Sequence, residues 1–137
     1  MESSQAAGES LELNLTSASE WHHSRYGSPD QGLVDRLERA RVATLLRPFM
    51  GQLSAILDAP AGYGRLSTTL SELEPRLLVS LDRHASRIGC APRREGVLVL
   101  QADFAQLPFV TRAFDLVVCF RHLQHLRDPA ELEARLE

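Results

Sequence analysis

Three aspartates stand just behind apolar runs: Asp58 after Ala55-Ile56-Leu57, Asp82 after Leu77-Leu78-Val79-Ser80-Leu81, and Asp103 shortly after Val97-Leu98-Val99-Leu100. Behind Asp58 comes Ala59-Pro60-Ala61-Gly62-Tyr63-Gly64, a turn with two glycines. Arg65-Leu66-Ser67-Thr68-Thr69-Leu70 then reads as a helix. Such a strand–turn–helix offers a ligand bare backbone N–H groups at the positive end of a helix dipole. Asp82 lies eighteen residues after Gly64, where a carboxylate can accept both hydroxyls of a ribose at the carboxyl edge of a sheet. Asp103 can take the exocyclic amine of adenine, and the N–H of Phe104 a ring nitrogen. Leu107, Pro108 and Phe109 can wall the apolar side of the base. Together these positions point to a nucleotide-type cofactor.

Each segment alone leaves an alternative open. The glycine turn also fits an ordinary strand-to-helix loop, Asp82 also fits a helix N-cap, and Asp103 also fits a loop carboxylate. Dinucleotide binding uses the same first two elements, but its G-x-G-x-x-G fingerprint needs a third glycine at position 67, which is Ser67. His122 and His125 are three residues apart with no third ligand placed beside them, so no metal site is expected. His125 reads either as a substrate-side base or as a packing residue between a strand and the last helix.

The elements that must position these groups follow from the pattern. A helix begins at Ser28-Pro29-Asp30, carries Leu33, Leu37, Ala40, Val42, Leu45 and Leu46 near helical period, and stops at Pro48 and Gly51. Strands are expected over about 54–59, 76–82, 96–100 and 114–120. A helix runs from the glycine turn to about 73, and a short one follows the second strand. Asp128-Pro129 starts a last helix, with Asp as N-cap and Pro at the first helical position. That helix carries Leu132 and Leu136. The strands are continuous apolar runs, as in a parallel sheet covered by helices on both faces. The fold class is therefore α/β, a Rossmann-like doubly wound parallel sheet.

Bulk properties narrow the functions. The chain has 137 residues, 44% hydrophobic and 24% charged, which is enough for one domain and a single core. A net charge of −3 gives no basic field for nucleic acid. No apolar run approaches a membrane span, and the acidic N-terminus does not resemble an export signal. Cys90 and Cys119 lack metal-ligand spacing, Cys119 reads as a buried small hydrophobe, and a cytoplasmic setting is expected. All fifteen basic residues counted as Lys or Arg are arginine. The absence of lysine excludes a P-loop and a pyridoxal Schiff base, and the arginine bias suggests a GC-rich bacterial genome. Residues 1–20 read as a mobile tail. Trp21-His22-His23-Ser24-Arg25-Tyr26-Gly27 reads as a segment that packs on the domain, with Arg25 and Tyr26 as candidates to cover a ligand.

The glycine turn, Asp82, the Asp103…Leu107-Pro108-Phe109…Phe114-Asp115 stretch and the His125-Leu126…Asp128-Pro129 ending stand in one order and spacing. Over about residues 21–137 this resembles class I S-adenosylmethionine-dependent methyltransferases, particularly the branch around ubiquinone and menaquinone biosynthesis. The resemblance implies S-adenosylmethionine as cofactor and a small molecule as methyl acceptor. It implies that Asp58 and the backbone of Ala59, Pro60, Ala61, Gly62 and Gly64 hold the methionine part. Asp82, with Arg83 beside it, would bind the ribose, and Asp103 and Phe104 the adenine. Phe120 and Arg121 would line the methionine end near the sulfonium. Pro60 replaces the usual first glycine, and Ala61 and Tyr63 fill turn positions, with Tyr63 narrowing access. Arg65 reads equally as a neutraliser of the cofactor carboxylate and as a helix-surface charge. No committed general base is apparent.

The same resemblance implies a sheet order of 3-2-1-4 and a fold that normally continues with a fifth strand and a hairpin. Strand four, Leu116 to Phe120, is then an apolar edge, and such edges invite pairing. The expectation is a cofactor-binding half of a larger methyltransferase, or an edge covered by self-association or a partner chain. A non-catalytic module of the same fold and a nicotinamide-dependent oxidoreductase are the alternatives.

Overall fold

The structure is a computed structural model, and it describes Glu20, residues 27–126, Asp128, Ala130, Glu133 and Ala134. Residues 1–19 of the expected tail, residues 21–26 of the segment after it, and Pro129, Leu132 and Leu136 of the last helix lie outside the described residues. Asp128 does accept a hydrogen bond from the Ala130 N–H at 2.9 Å, as an N-cap would. Among the described residues no helix is long and apolar enough to cross a membrane.

The first helix, α1, spans Pro29–Leu46. Ser28 caps it through a side-chain bond from the Gln31 N–H, and Pro29 occupies the first turn. A 3₁₀ turn, Arg47–Phe49, follows, and Gly51 takes the left-handed conformation (φ +71°) that releases the chain toward the sheet. Strand β1 is Ala55–Asp58, helix α2 Ser67–Ser71, β2 Leu77–Asp82, α3 Ala85–Ile88, β3 Val97–Gln101 and β4 Leu116–Val118. A second 3₁₀ turn covers Leu123–His125. The four strands form one parallel sheet in the order β3-β2-β1-β4, the doubly wound α/β arrangement that the sequence pattern implies.

Two elements are shorter than expected. Helix α2 begins at Ser67 rather than Arg65, because Gly62 (φ +58°) and Gly64 (φ +71°) prolong the turn. Strand β4 ends at Val118 rather than near residue 120, and Arg121 (φ +55°) turns the chain away soon afterwards.

The expectation of strands buried on both faces holds only at the sheet's centre. Ile56, Leu57, Leu78, Val79 and Leu81 are buried, whereas Leu98 on β3 is 47% exposed and Val117 on β4 is 40% exposed. One face carries Ile56, Leu78, Leu116 and Val118, packed against Leu46 of α1 and Leu66, Leu70 and Leu73 around α2. The opposite face carries Leu57, Val79 and Leu81, covered by Phe104, Leu107, Phe109 and Phe114 of the β3–β4 connection. Leu107 and Phe109 thus serve the core. Asp115 anchors the start of the sheet: its Oδ2 accepts from the N–H groups of Ser54 (2.7 Å) and Ala55 (2.9 Å), and its own N–H donates to the Ala55 carbonyl. Cys119 is half-buried against the same face, and Cys90 is exposed on the loop after α3.

Candidate functional site

The carboxyl ends of β1, β2 and β3, with the segment after β4, surround a cleft of about 800 Å³. This is where a doubly wound sheet places its ligand, because β1 is flanked on either side by strands whose connections run in opposite directions. The cleft is bordered by Asp58, Pro60, Ala61, Gly62, Asp82, Arg83, Asp103, Phe104, Phe120 and Arg121. Of the twelve residues expected from the sequence, Ala59 and Gly64 do not border it: both are buried behind the turn.

Asp58 lies at the end of β1 and is 2% exposed. Its Oδ2 is buried without a hydrogen-bond partner among the described residues. Burial pushes its carboxyl up to about 7, against the opposing pull of Arg65, with Asp82 adding to the rise. A buried carboxylate oxygen without a donor is costly, and beside an open cleft it fits a ligand that brings a donor or a positive charge.

Asp82 takes a different part. Its Oδ2 accepts from the Gly62 N–H (2.9 Å) and its Oδ1 from the His84 N–H (2.8 Å). One carboxylate therefore joins the end of β2 to the glycine turn and to the start of α3. Each carboxylate oxygen has two lone-pair sites, so the side chain keeps acceptor capacity toward the cleft. Asp103 is exposed, and its Oδ1 accepts from the Ala105 N–H at 2.9 Å in a tight local turn. Phe104 behind it is buried and meets His122 edge-on at 5.6 Å between ring centroids.

The turn itself departs from expectation. The N–H of Ala59 donates to Val118, that of Ala61 to Leu81, that of Gly62 to Asp82 and that of Gly64 to Ala61. These four donors are engaged inside the protein rather than bare, and α2 is too short to add a strong dipole. The peptide Ala59–Pro60 is cis. What the turn offers the cleft is shape, and the carboxylates around it offer charge.

Arg65 is not a surface charge. Its side chain is 13% exposed, pairs with Asp35 and with Glu38 (3.1 Å) on α1, and lies over the Phe120 ring at 5.1 Å from the centroid. Glu38 also holds Arg121, whose Nε lies at 3.1 Å. Asp35 and Glu38 were not singled out from the sequence. On a helix that also carries Arg36, Arg39 and Arg41 they resemble solvated charge, and only their three- and four-residue spacing toward the helix C-terminus puts them on the sheet side with Val42 and Leu46. Tyr63 borders the cleft near Arg87; burial raises its hydroxyl above the ordinary phenol range, and Arg87 opposes the rise. His122 and His125 also border the cleft, with ring centroids 6.3 Å apart.

Comparison with known proteins bears on the fold and the family. No curated protein matches the sequence. Among solved structures, the chain is similar to the plantazolicin methyltransferase BpumL in complex with a monoazolic desmethylPZN analog and SAH. The identity is 20%, with 96% of this chain and 56% of that chain covered at a TM-score of 0.53. BpumL in complex with a triazolic desmethylPZN analog and SAH aligns at 19% identity over 93% of this chain and 54% of that chain, with a TM-score of 0.49. The chain thus spans little more than half the length of BpumL, and at this identity the likeness concerns the fold. The family model described as "Methyltransferase domain" matches residues 56–136. That match covers more than half of the chain, from the second residue of β1 through β4, and the chain belongs to the methyltransferase-domain family.

Proposed function

We propose that the chain is a class I S-adenosylmethionine-dependent methyltransferase of a small molecule, or its cofactor-binding half, in the branch similar to ubiquinone and menaquinone biosynthesis enzymes. The observation that carries this reading is Asp58, buried at the end of β1 with one oxygen that has no hydrogen-bond partner among the described residues, beside the cleft. The ammonium of a methionine moiety is the kind of donor that oxygen lacks. The family match supports the reading, as does the SAH bound to the structurally similar BpumL.

In this reading Asp58 and the 59–64 turn hold the methionine part. Asp82 takes the ribose hydroxyls with the acceptor capacity its two backbone bonds leave, and Arg83 lies beside it. Asp103 and Phe104 receive the adenine. Phe120 and Arg121 line the methionine end. When bound, the cofactor supplies a sulfonium methyl together with its leaving group. The protein's task is then to position two reactants and exclude water. The free edge of β4 is where a further strand would add, from a longer form of the polypeptide or from a partner chain. A cytoplasmic setting fits the free cysteines.

The experiment is calorimetric titration with S-adenosylhomocysteine, with NADH as control and Asp82→Ala as comparison. Binding of the first ligand, lost in the variant, supports the reading. Binding of NADH instead would support an oxidoreductase. Folded protein that binds neither would indicate a module without cofactor chemistry.

A further inference from the structure

Helix α1 is apolar on two sides. Its inner side holds Val42 and Leu46 against the sheet. Its outer side exposes Leu33 (49%), Val34 (39%), Leu37 (60%) and Leu45 (73%). A stripe of this kind over several turns marks an interaction surface.

The outer side is also shaped. A groove of about 420 Å³ is lined by Leu37, Ala40, Arg41, Thr44 and Leu45. Residues 37, 40, 41 and 44 are spaced i, i+3, i+4 and i+7. They form the four-cornered hole that receives one side chain of a facing helix. Ala40 and Thr44 are small and admit close approach. The Thr44 hydroxyl is already satisfied, donating to the Ala40 carbonyl at 2.9 Å, so the floor of the hole presents no unmet polar group.

The knob for this hole is on the same helix. Leu33 projects one turn before Leu37 on the same side, and it is exposed. We propose that α1 pairs antiparallel, about a two-fold axis, with α1 of a second copy of this chain. In that pairing Leu33 of each copy enters the hole formed by residues 37, 40, 41 and 44 of the other. A two-fold pairing requires a self-complementary surface, and this side of α1 carries both the knob and the hole. The charges agree. Asp30 lies at one end of the stripe and Arg41 toward the other, both exposed, and among the described residues neither has an ion-pair partner. With Leu33 seated, Asp30 of one copy falls within one helical turn of Arg41 of the other along the axis, inside the reach of an arginine.

Sedimentation velocity of the full chain tests this, with far-UV circular dichroism to verify that each variant is folded. The wild type is expected to dimerise. Asp30→Arg alone and Arg41→Asp alone should each weaken the dimer by about tenfold or more, since each brings like charges together. The double variant Asp30→Arg/Arg41→Asp should recover it, and Leu37→Glu should abolish it in folded protein. A wild type that stays monomeric at about 0.1 mM, too weak for a specific dimer, would overturn the proposal. So would a dimer indifferent to these substitutions, which would place self-association elsewhere, such as the β4 edge.

Discussion

Asp58 is held between two opposing influences, burial that favours the neutral acid and Arg65 that favours the carboxylate, and burial wins. The consequence is a pH dependence of definite sign. Unfolded, the carboxyl titrates near its ordinary 3.8; folded, near 7. Between those values the folded state binds more protons, so stability is greatest on the acid side, falls as pH rises through about 7, and is flat above. The loss is on the order of a few kcal/mol. In Asp58→Asn this loss disappears. Thermal melts from pH 4 to 8 should show the wild type losing stability relative to the variant as pH rises. Parallel curves would mean that Asp58 does not titrate in this range. Asp82, by contrast, is committed to the backbone at Gly62 and His84 through both oxygens. It organises the site as well as facing it, which is why calorimetry of Asp82→Ala must be read beside a check that the variant is folded.

The glycine turn shows how an element is set by single positions. Both of its glycines have positive φ, but a Cβ on Gly62 would meet nothing within 4 Å, whereas one on Gly64 would meet Ala91 and Pro92 at 2.8 Å. Gly62→Ala is therefore expected to cost only the left-handed backbone, about 1 kcal/mol. Gly64→Ala adds overpacking against the loop after α3, for a total of about 2–4 kcal/mol. Urea unfolding of the two variants measures the difference, and equal losses would contradict it. The same turn shows what a sequence pattern can and cannot reveal. Its place after an apolar strand is legible from Ala55 to Gly64, because strand burial and glycine content are local properties. That the N–H groups of Ala59, Ala61, Gly62 and Gly64 are engaged internally is not legible. Three of the partners, Val118, Leu81 and Asp82, come from other strands, and only that of Gly64, Ala61, lies in the turn itself. The roles of Asp35 and Glu38 were hidden for the same reason, since their partners Arg65 and Arg121 are distant in sequence. Asp115 was legible as part of a motif, while its bonds to Ser54 and Ala55 reveal that it fastens β4 to the start of β1.

At the scale of the molecule, the sheet order β3-β2-β1-β4 brings the strand ends that carry Asp58 and Asp82, and the Asp103 loop after β3, to one cleft. The alternation of apolar runs and helical segments made a parallel, doubly wound sheet readable, while its strand order was implied by the family resemblance. The uneven covering of the sheet was not. Leu98 and Val117 belong to runs as apolar as those of the buried strands, and their exposure follows from edge position and from cover by a connecting segment rather than a helix. Whether this cleft takes S-adenosylmethionine is read from a crystal structure of the chain with S-adenosylhomocysteine. The ribose is expected at Asp82, the adenine beside Asp103 and Phe104, and the amino group at Asp58. A ligand bound elsewhere, or a cleft left empty at saturating ligand, would contradict this expectation.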